Sequence, residues 1–119
     1  MDDLSEQIDE IEALVAIYGK DWQTDDEENR AYSIEIVNGE GVVKLHIKLP
    51  KNYPSSVSPI YQISAPHLSQ SQKNLINHLL EEVCASNFGQ NVIFQMVERI
   101  REALESVLKI PKELEIEDQ

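Results

Sequence analysis

Few residues of this chain are of types that do chemistry, and their spacing limits what that chemistry can be. Cys84 is the single cysteine, so it can form no internal disulfide and is the one possible thiolate nucleophile. Hydrophobic periodicity puts it on a helix at the edge of the apolar face, where a cysteine usually serves as a small inert hydrophobe. His78, six residues earlier, falls on another side of that helix. His46, His67 and His78 lie on a strand, a loop and a helix, without the local ligand spacing of a zinc site. The run Asp25-Asp26-Glu27-Glu28 lacks the spaced oxygens and the glycine of a calcium loop and reads as solvated charge. No glycine-rich phosphate loop and no Gly-x-Ser-x-Gly elbow occurs. No catalytic, cofactor-binding or metal-binding residue is assigned, and no cofactor is expected. What remains is surface. Near the end of the chain Glu98, Glu102 and Glu105 recur at steps of four and three, which on a helix returns them to one side, opposite Val97, Ile100 and Leu104. Arg99 and Arg101 flank them. Like charges four apart cost a helix about 0.2–0.5 kcal/mol, so the Glu98–Glu102 pair does not serve local helix stability. By itself the row fits either a solvated face or a contact surface.

The charge balance narrows the partners such a surface could take. Twenty-two acidic residues stand against ten basic ones, a net charge of −12. Nucleic acid and anionic membranes both need a basic footprint, so neither is an expected partner. The acids gather in residues 1–30 and again from 98 to 119, leaving the middle of the chain neutral. A contiguous acidic surface selects basic partners. The 119 residues, 41% of them apolar, suffice for one domain with one core. The acidic start Met1-Asp-Asp-Leu differs from a basic leader, and no apolar run approaches the ~18 residues of a membrane span. The expectation is a soluble domain of a reducing compartment.

The elements that must hold these residues follow from the hydrophobic pattern. Leu4, Ile8, Ile11, Val15 and Tyr18 recur at three- and four-residue steps and predict a helix over 3–18. Its expected buried stripe is that row, widened by Leu14 and Ile17, with Glu6, Asp9 and Glu10 toward water. Asp3 with Glu6 resembles a capping box, and Gly19 ends the helix. Residues 21–30 read as an exposed loop in which Trp22 to Thr24 could form a short edge strand. The period then changes to two: Tyr32, Ile34 and Ile36, then Val43, Leu45, Ile47 and Leu49, alternate with polar residues. Asn38-Gly39-Glu40-Gly41 between them tolerates positive φ and predicts an antiparallel hairpin. A proline-marked turn from Pro50 to Pro59 leads to a third strand, Ile60 to Ser64. Ser69 and Gln72 offer a capping pair for a helix to about Ser86, buried through Leu75, Ile76, Leu79, Leu80 and Val83. A last helix, about Asn91 to Leu108, buries Ile93, Val97, Ile100, Leu104 and Val107 before Pro111 stops it. The sum is an α+β domain over residues 1–110: one helix, an antiparallel meander of three to four strands, and two helices packed on one face. Residues 111–119 form an acidic tail with too little apolar content to pack, expected to be disordered.

Glu10-Ile-Glu-Ala-Leu-Val-Ala-Ile-Tyr-Gly19, followed by Leu49-Pro50, Tyr53-Pro54 and Pro59, resembles the signature of the RWD domain family. The stretches Glu10 to Trp22 and Pro59 to Pro66 resemble most the branch found in Impact and in the general-control starvation kinase. The likeness runs over roughly residues 3–108. Family members carry a further proline where this chain has Ser58. Tyr53, Pro54 and Pro59 are expected to be structural, since the prolines fix φ and deny helix to the residues before them. The family resembles ubiquitin-conjugating enzymes in fold, but the segment that would carry their cysteine is Ser64-Ala-Pro-His-Leu-Ser-Gln-Ser71, with neither a nucleophile nor a His-Pro-Asn. The resemblance thus implies a non-catalytic protein-interaction module; it is expected to be monomeric and, from the single cysteine and the acidic start, cytoplasmic. The resemblance also implies a partner with a basic helical-repeat surface, a HEAT-repeat activator of translational control, met by Glu98, Glu102 and Glu105, with modulation of the starvation-responsive kinase as the consequence. The alternative it leaves is a non-enzymatic adaptor in a ubiquitin or SUMO conjugation pathway, binding through the sheet face. The polar outward positions Lys44, His46 and Lys48 speak against that alternative.

Overall fold

The computed structural model describes residues 2–38 and 41–107. Gly39 and Glu40 of the expected hairpin turn, Leu108 at the expected end of the last helix and the expected acidic tail, 111–119, lie outside the described residues. Helix α1 (Asp3–Tyr18) and a single 3₁₀ turn (Gly19–Asp21) precede four strands, β1 (Trp22–Asp26), β2 (Ala31–Asn38), β3 (Gly41–Lys48) and β4 (Ile60–Ser64). Helices α2 (Gln70–Ser86) and α3 (Ile93–Val107) follow. The strands form one antiparallel sheet in the order β1-β2-β3-β4, a meander in which each strand pairs with its neighbour in sequence.

Register explains where the core lies. Tyr32, Ile34 and Ile36 of β2 stand opposite Ile47, Leu45 and Val43 of β3. Directly opposed residues share a face, so these six form one apolar layer, and all are buried. Ile76 and Leu80 of α2 and Ile93, Met96, Val97, Ile100 and Leu104 of α3 are buried in the same core. On β1, Trp22 stands opposite Ile34 and its ring stacks on Tyr32 at 5.6 Å. The strand runs to Asp26, with a register shift between Thr24 and Asp26, so the expected loop shrinks to residues 27–30. Ser33, on the outer side of β2, is buried because its hydroxyl donates to Asp25 of that irregular segment at 3.1 Å.

Helix α1 departs from the expectation. Leu4, Ile8, Val15 and Ile17 are exposed, whereas Gln7, Glu10 and Leu14 are buried. Two rows at helical spacing overlap here, sharing Ile11 and Tyr18, and the more polar one faces inward. The reason is demand for hydrogen bonds. Gln7 Nε2 donates at 2.9 Å to the carbonyls of both Pro50 and Tyr53, and Glu10 receives donors from elsewhere in the fold. Buried carbonyls and amides of a proline-rich turn need such partners more than the core needs one more Leu. The cap also moves by one residue. Asp2 accepts from Ser5 N at 2.8 Å, while Asp3 takes the backbone N–H and the hydroxyl of Ser55 at 3.1 and 2.8 Å. On α2 the Ser69–Gln72 capping box forms as expected. Its inward row is Gln72, Ile76, Leu80 and Cys84, with Leu75 left exposed.

Candidate functional site

Val92 precedes α3, and its side chain can cap nothing. The first free N–H groups of this helix are satisfied from across the fold instead. Ile93 N–H donates to Glu10 Oε2 at 3.1 Å, and Val92 N–H donates to the Tyr53 hydroxyl at 2.9 Å. That hydroxyl in turn donates to the Glu10 carboxylate, whose oxygens lie 2.8 and 3.0 Å away. Glu10 thus caps α3 from α1, with its negative charge at the positive end of the helix. Burial raises its pKa, against the lowering effect of the Tyr53 and Ile93 hydrogen bonds. Burial, with the Glu10 charge next, pushes the Tyr53 hydroxyl far up. Tyr53 is 1% exposed, and Pro54 and Pro59 are buried as well; the Tyr53–Pro54 peptide is cis. The turn motif therefore stands inside the fold, joining α1, the β3–β4 connection and α3.

The acidic row of α3 is less uniform than its spacing suggests. Glu98 is half-buried: it accepts from the Tyr18 hydroxyl of α1 at 3.0 Å and lies 3.7 Å from Arg101 Nε. Burial, then the Glu98 carboxylate, drives the Tyr18 pKa up. Glu102 is exposed and accepts from Arg99 Nη1 at 3.0 Å. Glu105 is exposed and has no hydrogen-bond or ion-pair partner among the described residues. The row is anchored at Glu98 and open toward Glu105, with the two arginines offsetting the like-charge pair. Exposed ion pairs of this kind contribute about 0–1 kcal/mol each, so both arginines can release their partners at small cost.

The remaining candidates disperse. Cys84 is buried with Sγ 3.9 Å from Met96 Sδ, and burial pushes its pKa up, toward the neutral thiol. His46 and His67 are half-buried on β3 and in the β4–α2 connection, and His78 is exposed on α2 beside Glu82 at 3.4 Å. Among the described residues no three His, Cys, Asp or Glu side chains gather as metal ligands. Sequence reasoning missed Gln7, Glu10 and Tyr18. No local signal marked Glu10: the sequence offers Asn91, a capping residue type, near the start of the last helix, and only the structure begins α3 at Ile93 behind Val92.

A meander with three helices, two C-terminal helices covering one face and a Tyr-Pro turn bolted to the first helix, defines an α+β class shared with ubiquitin-conjugating enzymes. The chain belongs to the RWD domain family, whose sequence model matches residues 5–104. It is 38% identical over 107 residues to Protein IMPACT-A of Xenopus tropicalis, covering 87% of this chain and 34% of that protein. It is 42% identical over 104 residues to Protein IMPACT of Danio rerio, covering 85% and 33%. The chain thus spans about a third of the length of these curated relatives. The solution structure of the RWD domain of mouse GCN2 superposes with a TM-score of 0.73 at 30% identity, over 89% of this chain and 88% of that one.

Proposed function

We propose that this RWD domain is a non-catalytic, monomeric, cytoplasmic interaction module. Its partner would be a HEAT-repeat activator of translational control with a basic surface, and its effect modulation of the starvation-responsive kinase. The observation that carries the reading is the open end of the α3 row: Glu102 and Glu105 stand exposed on a helix whose other side is fixed in the core. Carboxylates on a rigid element orient arginines and speed encounter. The choice of a HEAT-repeat partner rests on the resemblance to the Impact and general-control branch of the family. The adaptor alternative draws on the outer sheet face, where Val37 and Val42 stand directly opposite one another and exposed. Lys44, His46 and Gln62 interrupt that apolar surface.

Glu102→Lys with Glu105→Lys is the clean test, because neither side chain reaches α1. The pair should change stability by no more than about 0.5 kcal/mol per site. Affinity for a recombinant HEAT-repeat fragment of the activator, measured by calorimetry, should fall at least about tenfold, since attraction becomes repulsion. Added salt should slow association of the unaltered domain. Unchanged affinity at every salt concentration would reduce the acidic row to a solubility device.

A further inference from the structure

The fold leaves outside the apolar row that helical spacing singles out on α1. Leu4, Ile8 and Val15 are 47%, 46% and 47% exposed and Ile11 is half-buried, while Gln7, Glu10 and Leu14 take the interior side. Single exposed hydrophobes are ordinary, but steps of four, three and four bring these together as one stripe. The same steps set the seam along which two helices pack, here with β-branched Ile8 and Val15 alternating with Leu4 and Ile11. Helix α3 is no such partner, since the groove between it and α1 is lined by Ala13 and Ile17, from another side of α1.

At its Leu4 end the stripe meets a cleft of about 430 Å³ whose walls carry Arg30, Lys48 and Lys51 beside Leu49. Among the described residues that line it, Glu28 alone is acidic. The cleft is held in shape by the fold itself, because Gln7 Nε2 donates to the Pro50 carbonyl at 2.9 Å and Leu49 N–H to the Arg30 carbonyl at 3.0 Å. None of the three cations has an ion pair or a side-chain hydrogen bond among the described residues. In a chain of net charge −12 they make a local positive site at the end of an apolar stripe.

A stripe that repeats every seven residues, about 10.5 Å along its axis, matches another helix and not a strand, whose same-face residues recur about every 6.7 Å. The cations call for carboxylates at one end of that helix. A second copy of this chain is a poor occupant, since at a net charge of −12 like would meet like. An anionic bilayer is a poor one as well: a flat surface would press on exposed Glu12 and Glu28 together with the cations, whereas a single helix brings its carboxylates to the cleft alone. We propose that the outer row of α1 and the adjoining basic cleft bind an amphipathic helix of a partner protein. Its aliphatic residues would lie on Leu4, Ile8, Ile11 and Val15, and the carboxylates at its end on Arg30, Lys48 and Lys51. This surface is separate from the acidic row of α3 and selects the opposite charge.

The test is an NMR titration of the isotopically labelled chain with a designed helical peptide that carries leucines at the same spacing and three glutamates at one end. One matched peptide has glutamines for the glutamates, and another scatters the same leucines around the helix. Amide shifts should concentrate at Leu4, Ile8, Ile11, Val15, Arg30, Lys48 and Lys51. The glutamine peptide should bind about tenfold more weakly and the scattered one not at all. Lys48 and Lys51 are exposed, so Lys48→Glu with Lys51→Glu leaves the core untouched. That pair should weaken the glutamate peptide about tenfold at low salt and much less at high salt, whereas Ile8→Ser with Val15→Ser should weaken it at both. No binding of the glutamate peptide, equal binding of the glutamine or scattered peptide, or shifts confined to α3 would each overturn the proposal. So would shifts at Ile8 and Val15 that grow with protein concentration alone, which assign the row to a second copy. Shifts there that appear with phosphatidylserine vesicles and not with the peptide would overturn it too, in favour of a bilayer.

Discussion

Two tyrosine–glutamate hydrogen bonds brace α1 against the rest of the molecule, and they differ chiefly in depth. Tyr53 and Glu10 meet where Tyr53 is 1% and Glu10 8% exposed, and the carboxylate also takes the N–H of Ile93. Tyr18 and Glu98 meet two turns along α1 at the domain surface, and Arg101 stands beside them. The chemistry is the same; the surroundings decide its use. Away from water, a donor or acceptor that loses its partner keeps the full cost of desolvation, so the inner pair holds the fold. At the surface water replaces the lost partner, so the outer pair contributes less to stability.

The sharpest break of this comparison is Glu10→Ala, which strands the Tyr53 hydroxyl and the Ile93 N–H together. It should lose about 2–4 kcal/mol in urea unfolding, since each buried orphan costs about 1–3 kcal/mol. A loss no greater than that of an exposed residue would mean that depth does not separate the two pairs. Next is Tyr18→Phe, which removes one half-exposed hydrogen bond and keeps the ring on Phe94. About 0.5–1.5 kcal/mol is expected in the same assay.

The finest distinction lies in pH. Burial raises the Glu10 pKa in the folded domain above its ordinary 4.5. Between those two values the folded state binds more protons than the unfolded chain, so this contribution to stability falls as pH rises through the window and is constant below it. Glu10→Gln removes that proton uptake. Wild type should therefore gain stability relative to Glu10→Gln as pH is lowered from neutrality to 4.5, read from unfolding curves at a series of pH values. A difference independent of pH would show that the hydrogen bonds from Tyr53 and Ile93 cancel the effect of burial.

The comparison also separates what was legible in the chain from what was not. The alternation of Tyr32, Ile34 and Ile36 with polar neighbours can serve only a half-buried strand, and the Ser69–Gln72 pair caps a helix using atoms three residues apart. Such signals are local, and they hold because strand pleat and helix pitch are properties of the backbone. The amphipathic side of α3 was legible for the same reason, down to Glu102 and Glu105. The inward face of α1 was not. Two rows at helical spacing competed, and hydropathy favours the one with Leu4, Ile8 and Val15. The row with Gln7 and Glu10 won because the Pro50 and Tyr53 carbonyls and the uncapped start of α3 needed partners from more than forty residues away. Sequence spacing fixed which residues share a helix face. Only tertiary packing decided which face turned inward, since a buried polar group answers to the donors and acceptors around it and not to its own hydropathy.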